Sequence, residues 1–368
     1  MCASHDRSIW RWFDFFPVER RTSIISLGEG DTPLIHAGRL GAHLELPHLH
    51  LKNDTVLPTG SLKDRSNSVA ISVARELGFA TAAVMSTGNA AASVAAYAAA
   101  AGMKSVVLVP EATASSKIIQ ARACGAAVIV VKGGFDAELA PLYRAAVQEF
   151  GWYDCLSSNP YRCGKKSYAY ELADQFQGHT PDWVIHPSAG GAGITYMWQG
   201  FQELAALGCI KRLPKLAAAQ SALSAPIVGA FERGLQEIEP VTAQDTVAES
   251  IQVGNPAALG WRTLAALYES QGSAVALSDA EILEAQSLMA RLEGIFAEPA
   301  AAASVAAAKK LRGHGVIGRD DVIVCNITGH GLKQPTAVPL TETDTGAVAP
   351  TLDALRERLG LGDRAVKG

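Results

Sequence analysis

Short, continuous runs of apolar residues alternate along this chain with longer stretches in which apolar and polar positions recur at helical spacing. TAAVM (81–85), SVVLV (105–109), AVIVV (127–131), DWVIH (182–186), KLAAA (215–219), SAVAL (273–277) and DVIVC (321–325) read as strands, with HLHLK (48–52) and WYDCL (152–156) as further candidates. Helices are predicted from Ser61 to Gly78, up to about Gly102, up to about Gly125, over 136–149 and 165–176, and through about Leu207. Three more fall near 259–271, 279–292 and 299–312. Apolar strands set between helices predict parallel sheets covered on both faces, an α/β fold class. Such sheets put ligands at the carboxyl ends of strands. Three polar loops hold that position here: Ser86–Asn89, Pro187–Gly193 and Asn326–Gly331.

Composition narrows the function classes. Of the 368 residues, 48% are hydrophobic and 18% charged, enough for a large core and too apolar for wholesale disorder. Lys plus Arg is 32 against 36 for Asp plus Glu, a formal charge of −4. That balance argues against a nucleic-acid partner, so any phosphate site is built from local groups. The six cysteines form no Cys-x-x-Cys pair. Cys124, Cys155 and Cys325 end apolar segments and read as small buried hydrophobes. His48 and His50 read as structural, and no metal site is expected. The N-terminus lacks the apolar core of a signal peptide, and Ala90–Ala101 is too short to span a bilayer. The expectation is a soluble, cytoplasmic protein without a membrane partner. Residues 336–368 read as a surface appendage ending in a short helix.

The chemistry concentrates in a few loops. In PTGSLKDRS (58–66), Ser61 and Asp64 form a capping pattern, so Lys63 falls in the first turn of a helix. A charged lysine there opposes the helix dipole. SAGGAGIT (188–195) offers backbone N–H groups to an anion at a helix N-terminus. A dinucleotide fingerprint fails on spacing, because Tyr196 stands where a third glycine belongs and Gln220 where a ribose-binding carboxylate belongs. No Gly-Lys-Ser/Thr follows, which excludes a mononucleotide P-loop. An isolated phosphate survives. STGNA (86–90) and TGHG (328–331) read on their own as a capped helix start and a glycine turn. Arg162, Lys165 and Lys166 read as solvated charges, whereas His186 and His330 flank the ligand loops. A lysine beside a phosphate loop has one economical explanation, a Schiff base with pyridoxal 5′-phosphate. The helix N-terminus then favours the neutral amine that this chemistry needs.

SLGEGDTPL (26–34), LKNDTVLPTGSLKDR (51–65), STGNAAAS (86–93), SNPYRCGKKSYAYE (158–171), GNPAA (254–258), EPAAAAS (298–304) and TGHGLKQP (328–335) together resemble the threonine synthase family. The resemblance implies two open, mostly parallel α/β domains of the tryptophan synthase β-like type, with pyridoxal phosphate between them. It assigns 1–65 to an N-terminal segment and the start of the large domain, and 66–158 to the small domain. The large domain resumes over 159–335, and 336–368 is an extension. It implies Lys63 as the lysine that carries the cofactor and Asn89 at its 3-hydroxyl. It places Ala189, Gly190, Gly191, Ala192 and Gly193 around the cofactor phosphate, and Thr328 at the pyridine nitrogen. A hydroxyl there does not enforce ring protonation, which suits elimination and replacement at Cβ or Cγ. Ser86, Thr87, Ser157 and Arg162 are implied substrate-binding residues.

The implied reaction takes O-phospho-L-homoserine and water to L-threonine and phosphate, with a homodimer as the candidate assembly. The chain departs from the family pattern at Ala90, Leu156 and Gly193, where a threonine and two asparagines are usual. Three neutral donors are thereby missing from the implied phosphate pocket, each worth roughly 1.5–3 kcal/mol to a buried anion. The alternative reading is β-replacement on O-phosphoserine or a related activated amino acid, as in cysteate synthase. A β-eliminating dehydratase ranks third, and a non-catalytic amino-acid or cofactor sensor comes from another class. The block SLGEGDTPL favours the synthase lineage.

Overall fold

Each predicted apolar run yields a strand, and in most of them alternate residues enter different cores, whereas in 127–131 Ile129 and Val130 stay exposed. The computed structural model describes residues 6–113, 115–156, 162–256, 259–338 and 346–360. In chain order the strands are β1 (Leu34–His36), β2 (Leu49–Asn53), β3 (Thr81–Met85), β4 (Lys104–Pro110), β5 (Ala127–Val131), β6 (Tyr153–Asp154), β7 (Trp183–Pro187), β8 (Lys215–Ser221), β9 (Ser273–Leu277) and β10 (Ile323–Ile327). The helices are α1 (Gly38–His43), α2 (Lys63–Glu76), α3 (Asn89–Ala100), α4 (Ser115–Ala123), α5 (Ala140–Glu149), α6 (Ser167–Gln175), α7 (Ala192–Ala206), α8 (Pro226–Glu232), α9 (Gly260–Glu269), α10 (Asp279–Glu293) and α11 (Pro299–Gly313). One sheet runs β1-β2-β10-β7-β8-β9 and the other β5-β4-β3-β6. All pairings are parallel except β1 with β2.

The side-chain period of two explains the layering. Val184 and Val324 enter a core that they share with α2, α3, α6 and α7, whereas Ile185 and Cys325 enter one with α1, α10 and α11. On the smaller sheet Val84 and Val107 face the first core, while Ala83, Met85 and Leu108 pack on Tyr143 beyond. Both sheets are therefore covered on both faces.

Several local expectations are corrected. Ser61 and Asp64 do not form the expected cap: the helix starts at Lys63, and Ser61 Oγ accepts only the Lys63 N–H at 3.4 Å. Asp64 instead reaches back to Thr59, accepting from its N–H (2.7 Å) and its hydroxyl (2.6 Å), and also from Ser93. WYDCL yields only Tyr153–Asp154, because Asp154 Oδ1 turns to accept from Leu156 N and Tyr143 Oη. Cys155 and Cys325 are fully buried and Cys124 is partly buried. His50 packs edge-on against Phe176 and bonds to the His48 carbonyl.

Behind the first turn of α2 lies a buried ion cluster. Arg65 donates to both oxygens of Asp54 (2.8 Å each) and to both oxygens of Glu171, while Lys52 Nζ sits 2.5 Å from Glu171 Oε2. Tyr168 Oη donates to Asp54 at 2.5 Å. The cluster ties the end of β2, α2 and α6 together, so Lys63 stands on a fixed base.

Residues Thr336–Gly368 form a separate unit. Within it, helix α12 (Leu352–Leu359) is capped by the Thr351 hydroxyl, which accepts from Ala354 N at 3.3 Å. Among the described residues, no helix is long and apolar enough to cross a membrane.

Candidate active site

Four carboxyl strand ends meet around Lys63. After β2 the chain turns through PTGS into α2, and this turn is strapped to the loop after β10. Ser61 bridges to Gly329, His330 N–H donates to the Gly60 carbonyl (2.9 Å), and Leu62 N–H to the Thr328 carbonyl (2.8 Å). Gly60 adopts φ +80°, which a side chain would resist, so the turn depends on a glycine. Thr328, at the end of β10, is buried within this strap. Lys63 itself is partly buried. Burial pushes its ammonium down, Glu298 opposes that shift, and Arg162 adds to it. A neutral amine is thereby favoured.

The loop after β3 carries Ser86, Thr87 and Gly88, all partly exposed, with Gly88 N–H donating to Ser86 Oγ at 3.3 Å. Asn89 opens α3 and is buried. Its amide donates to both oxygens of Glu298 at 3.0 Å, joining the smaller sheet's helix to the start of α11 on the larger sheet. Burial pushes the Glu298 carboxyl up, against the pull of Asn89 and Lys63. No role for Glu298 was legible in the local pattern EPAAAAS. An acidic residue before proline at a helix start looks like an ordinary cap, and only the tertiary contact turns it toward Asn89 and Lys63.

The glycine loop follows β7. Gly191 takes φ +86° and starts α7. A Cβ there would lie 1.9 Å from Thr263 Oγ1 and 2.8 Å from its Cβ, so backbone and neighbour both demand glycine. At Gly190 a Cβ would stand in ordinary van der Waals contact with the Pro256 backbone, at 3.9 Å, so packing does not demand a glycine there. Ala189, Ala192 and Gly193 complete the loop. Gln220 braces it, donating to the Ser188 and Ala189 carbonyls while its oxygen accepts from Ile227 N and Val228 N. The position that a dinucleotide fold would give to a ribose carboxylate is here a loop support.

His186 explains Gly193. A Cβ at 193 would lie 1.9 Å from His186 Nε2. The imidazole, buried and beside Lys165 and Lys63, is held down to about 3 and stays neutral. Its Nδ1 lies 3.0 Å from Asn326 Nδ2, so a neutral ring accepting there carries its proton on Nε2, facing the glycine.

Arg162 is partly buried, with one guanidinium nitrogen 3.3 Å from the Leu156 carbonyl, and Ser157 lies outside the described residues. Lys165 and Lys166 are not solvated: they are 3% and 6% exposed. The cause is Gly164, whose Cβ would lie 1.8 Å from the Arg65 carbonyl. Only a glycine lets this turn press against α2, which carries both lysines inward. Lys166 Nζ bonds the Phe15 carbonyl (2.6 Å) and Glu203 (3.0 Å), and Lys165 Nζ bonds Ser66 Oγ (2.7 Å).

Comparison with known proteins places this arrangement. Residues 25–329 match the family described as pyridoxal-phosphate dependent enzyme. A protein named threonine synthase from Methanocaldococcus jannaschii is 44% identical over 331 residues, covering 89% of this chain and 81% of that one. One of the same name from Mycobacterium tuberculosis is 38% identical over 352 residues, covering 95% and 94%. The chain belongs to the threonine synthase family of pyridoxal-phosphate-dependent enzymes. Among solved structures, maize serine racemase superposes with a TM-score of 0.72 at 19% identity, over 83% of this chain and 89% of that one, and so shares the fold. Pyridoxal 5′-phosphate is the cofactor, and the site's own geometry fits it. Lys63, whose ammonium burial pushes down, the helix N-terminus behind the left-handed Gly191 and the buried Thr328 are the three kinds of group it requires.

Substituting Gly191 tests the loop. Gly191→Ala combines a left-handed φ with a clash on Thr263, so a loss of about 2–5 kcal/mol is expected. Denaturant unfolding of the cofactor-free protein and titration with pyridoxal phosphate should both show it. Unchanged stability and cofactor affinity would refute this account of the loop.

Proposed function

We propose that the protein converts O-phospho-L-homoserine and water to L-threonine and inorganic phosphate, acting as a carbon–oxygen lyase. The observation that carries this reading is the 44% identity to a protein named threonine synthase, and it is supported by Lys63, Asn89, the 189–193 loop and Thr328 all following carboxyl ends of strands. The cofactor, when bound, supplies an electron sink that stabilises negative charge developed next to the amino-bearing carbon. Lys63 holds it and moves protons at the substrate's Cα and Cβ. The N–H groups from Ala189 to Gly193 would hold its phosphate, Asn89 would serve its 3-hydroxyl, and Thr328 would offer a neutral hydroxyl to its ring nitrogen. Glu298 fixes the Asn89 amide. Arg162, with Ser86, Thr87 and Ser157, binds the substrate phosphate that leaves as product. The smaller sheet (within 66–158) and the larger one (159–335 with the 1–65 segment) act as two domains flanking the site, and 336–368 is a C-terminal extension. Cytoplasmic location and a homodimeric state belong to the same proposal.

The test is incubation of the cofactor-loaded protein with O-phospho-L-homoserine, with threonine read by chromatography. Threonine at enzymatic turnover is expected. The second reading rests on Ala90, Leu156 and Gly193, which bring no polar side chain to the site. It predicts no threonine and instead turnover of O-phosphoserine with an added nucleophile.

A further inference from the structure

One buried N–H beside the site is left without an acceptor. Of the two nitrogens of His186, Nδ1 faces Asn326, whereas Nε2 has no hydrogen-bond partner among the described residues. The residue is 2% exposed, and a donor so buried calls for a partner. The ring's orientation is fixed from two sides. Tyr168 packs against it nearly perpendicular, 5.6 Å between ring centres, and is itself bonded to Asp54. Asn326 is fully buried, and its Nδ2 faces both His186 Nδ1 at 3.0 Å and Met197 Sδ at 3.7 Å. Two acceptors around one amide atom identify it as the nitrogen, which puts the ring proton on Nε2.

Nε2 sits at the glycine loop. A Cβ on residue 193 would lie 1.9 Å from Nε2 and 2.1 Å from Cδ2, so the imidazole edge fills the place where a side chain at 193 would begin. Gly193 is the second residue of α7, whose N-cap, Gly191, brings no side-chain cap. The first N–H groups of such a helix are open to an anion. Burial, then Lys165 and Lys63, hold the ring neutral, so Lys63 stands within electrostatic reach of it. A helix start, a cation and an unsatisfied buried donor meet at one loop.

We infer that His186 is a phosphate-binding residue: its Nε2–H donates to an oxygen of a phosphate seated at the start of α7, where residue 193 brings no polar side chain. Two ligands of the site carry that chemistry, the pyridoxal cofactor and a phosphorylated amino acid. The second of these rests on the reaction proposed above. A neutral N–H giving a hydrogen bond to a dianion makes a strong, charge-assisted contact without adding a charge that would hold phosphate after it leaves. The pairing of residues also becomes intelligible, since any side chain at 193 would expel the ring.

Histidine-ring NMR of the wild-type protein, labelled with nitrogen-15, reads the donor directly. His186 is assigned by the signal missing from His186→Ala. The cofactor-free protein should carry this proton on Nε2. Adding pyridoxal 5′-phosphate to that protein is one arm, and adding inorganic phosphate to the loaded protein is the other. A downfield shift of the Nε2–H signal in the first arm marks the cofactor phosphate as its acceptor, and in the second arm the substrate phosphate. His186→Ala should weaken binding of that same ligand by about tenfold to a hundredfold. Adding Gly193→Asn to His186→Ala should recover most of the loss, by returning a donor to the vacated place, whereas adding Gly193→Ala should not. A ring proton on Nδ1, an Nε2–H signal unmoved in both arms, or equal recovery by alanine and asparagine at 193 overturns the inference. If His186→Ala does not fold, the wild type still decides: a response from a ring that stays neutral in mild acid supports the assignment, and no histidine response at all defeats it. A response to inorganic phosphate in a protein that forms no threonine overturns the proposed reaction and leaves His186 as a phosphate ligand.

Discussion

Lys63→Ala is expected to abolish threonine formation, by about a thousandfold or more, because in the proposed assignment one side chain both holds the cofactor and moves protons at Cα and Cβ. The protein itself should survive the change. Lys63 is only partly buried and heads a helix whose position is set by Asp64 and Arg65, one residue further along. Circular dichroism and the unfolding midpoint of the cofactor-free protein should therefore stay close to wild type. Borohydride reduction followed by peptide mapping should lose the cofactor label that the wild type carries on the Lys63 peptide. Threonine production at wild-type rate by the variant, or a label on another lysine, would remove Lys63 from the role.

The second large effect concerns the base on which Lys63 stands. Glu171→Gln breaks the Arg65–Asp54–Glu171–Lys52 cluster and leaves buried cations short of charge, which typically costs about 3–5 kcal/mol. Arg65 and Lys52 hold the Glu171 carboxyl far below the ordinary carboxylate range, overcoming burial. The sign of its pH dependence follows. A depressed carboxyl contributes stability that is complete above its unfolded value and is lost as pH falls toward its folded one. The stability gap between wild type and Glu171→Gln should therefore be widest near neutrality and shrink as pH drops through and below the ordinary carboxylate range. Urea unfolding at a series of pH values reads this directly. A gap under about 1 kcal/mol at neutral pH, or one that widens on acidification, would show the cluster to be energetically idle.

Legibility in the sequence followed the range of the interactions. Strand runs such as TAAVM and SAVAL match β3 and β9 residue for residue, because a strand buried on both faces must be apolar at every position. The two strands and helices around Lys63 were similarly plain, as were the glycine loop and the lysine at a helix start. Short elements went unread: β1, α1, α8 and the N-terminal turn Ile9–Phe15. They are short and draw their stability from what they pack against. The contacts of Glu298 and the burial of Lys165 were invisible for a related reason. A carboxylate before proline and a lysine in a polar loop have ordinary surface readings, and burial is a property of the partner surface.

What the sequence by itself determined is the α/β alternation, the three ligand loops, Lys63 and the family motifs, because each depends on local pattern or on residues close in the chain. Only the tertiary structure decided which groups face one another across that frame. It carried Lys165 inside through the Gly164 contact, put His186 where a side chain at 193 would stand, and joined Asn89 to Glu298 across 209 positions. Those juxtapositions arise where two sheets and the helix between them close on one another, and no local run of residues encodes that closure.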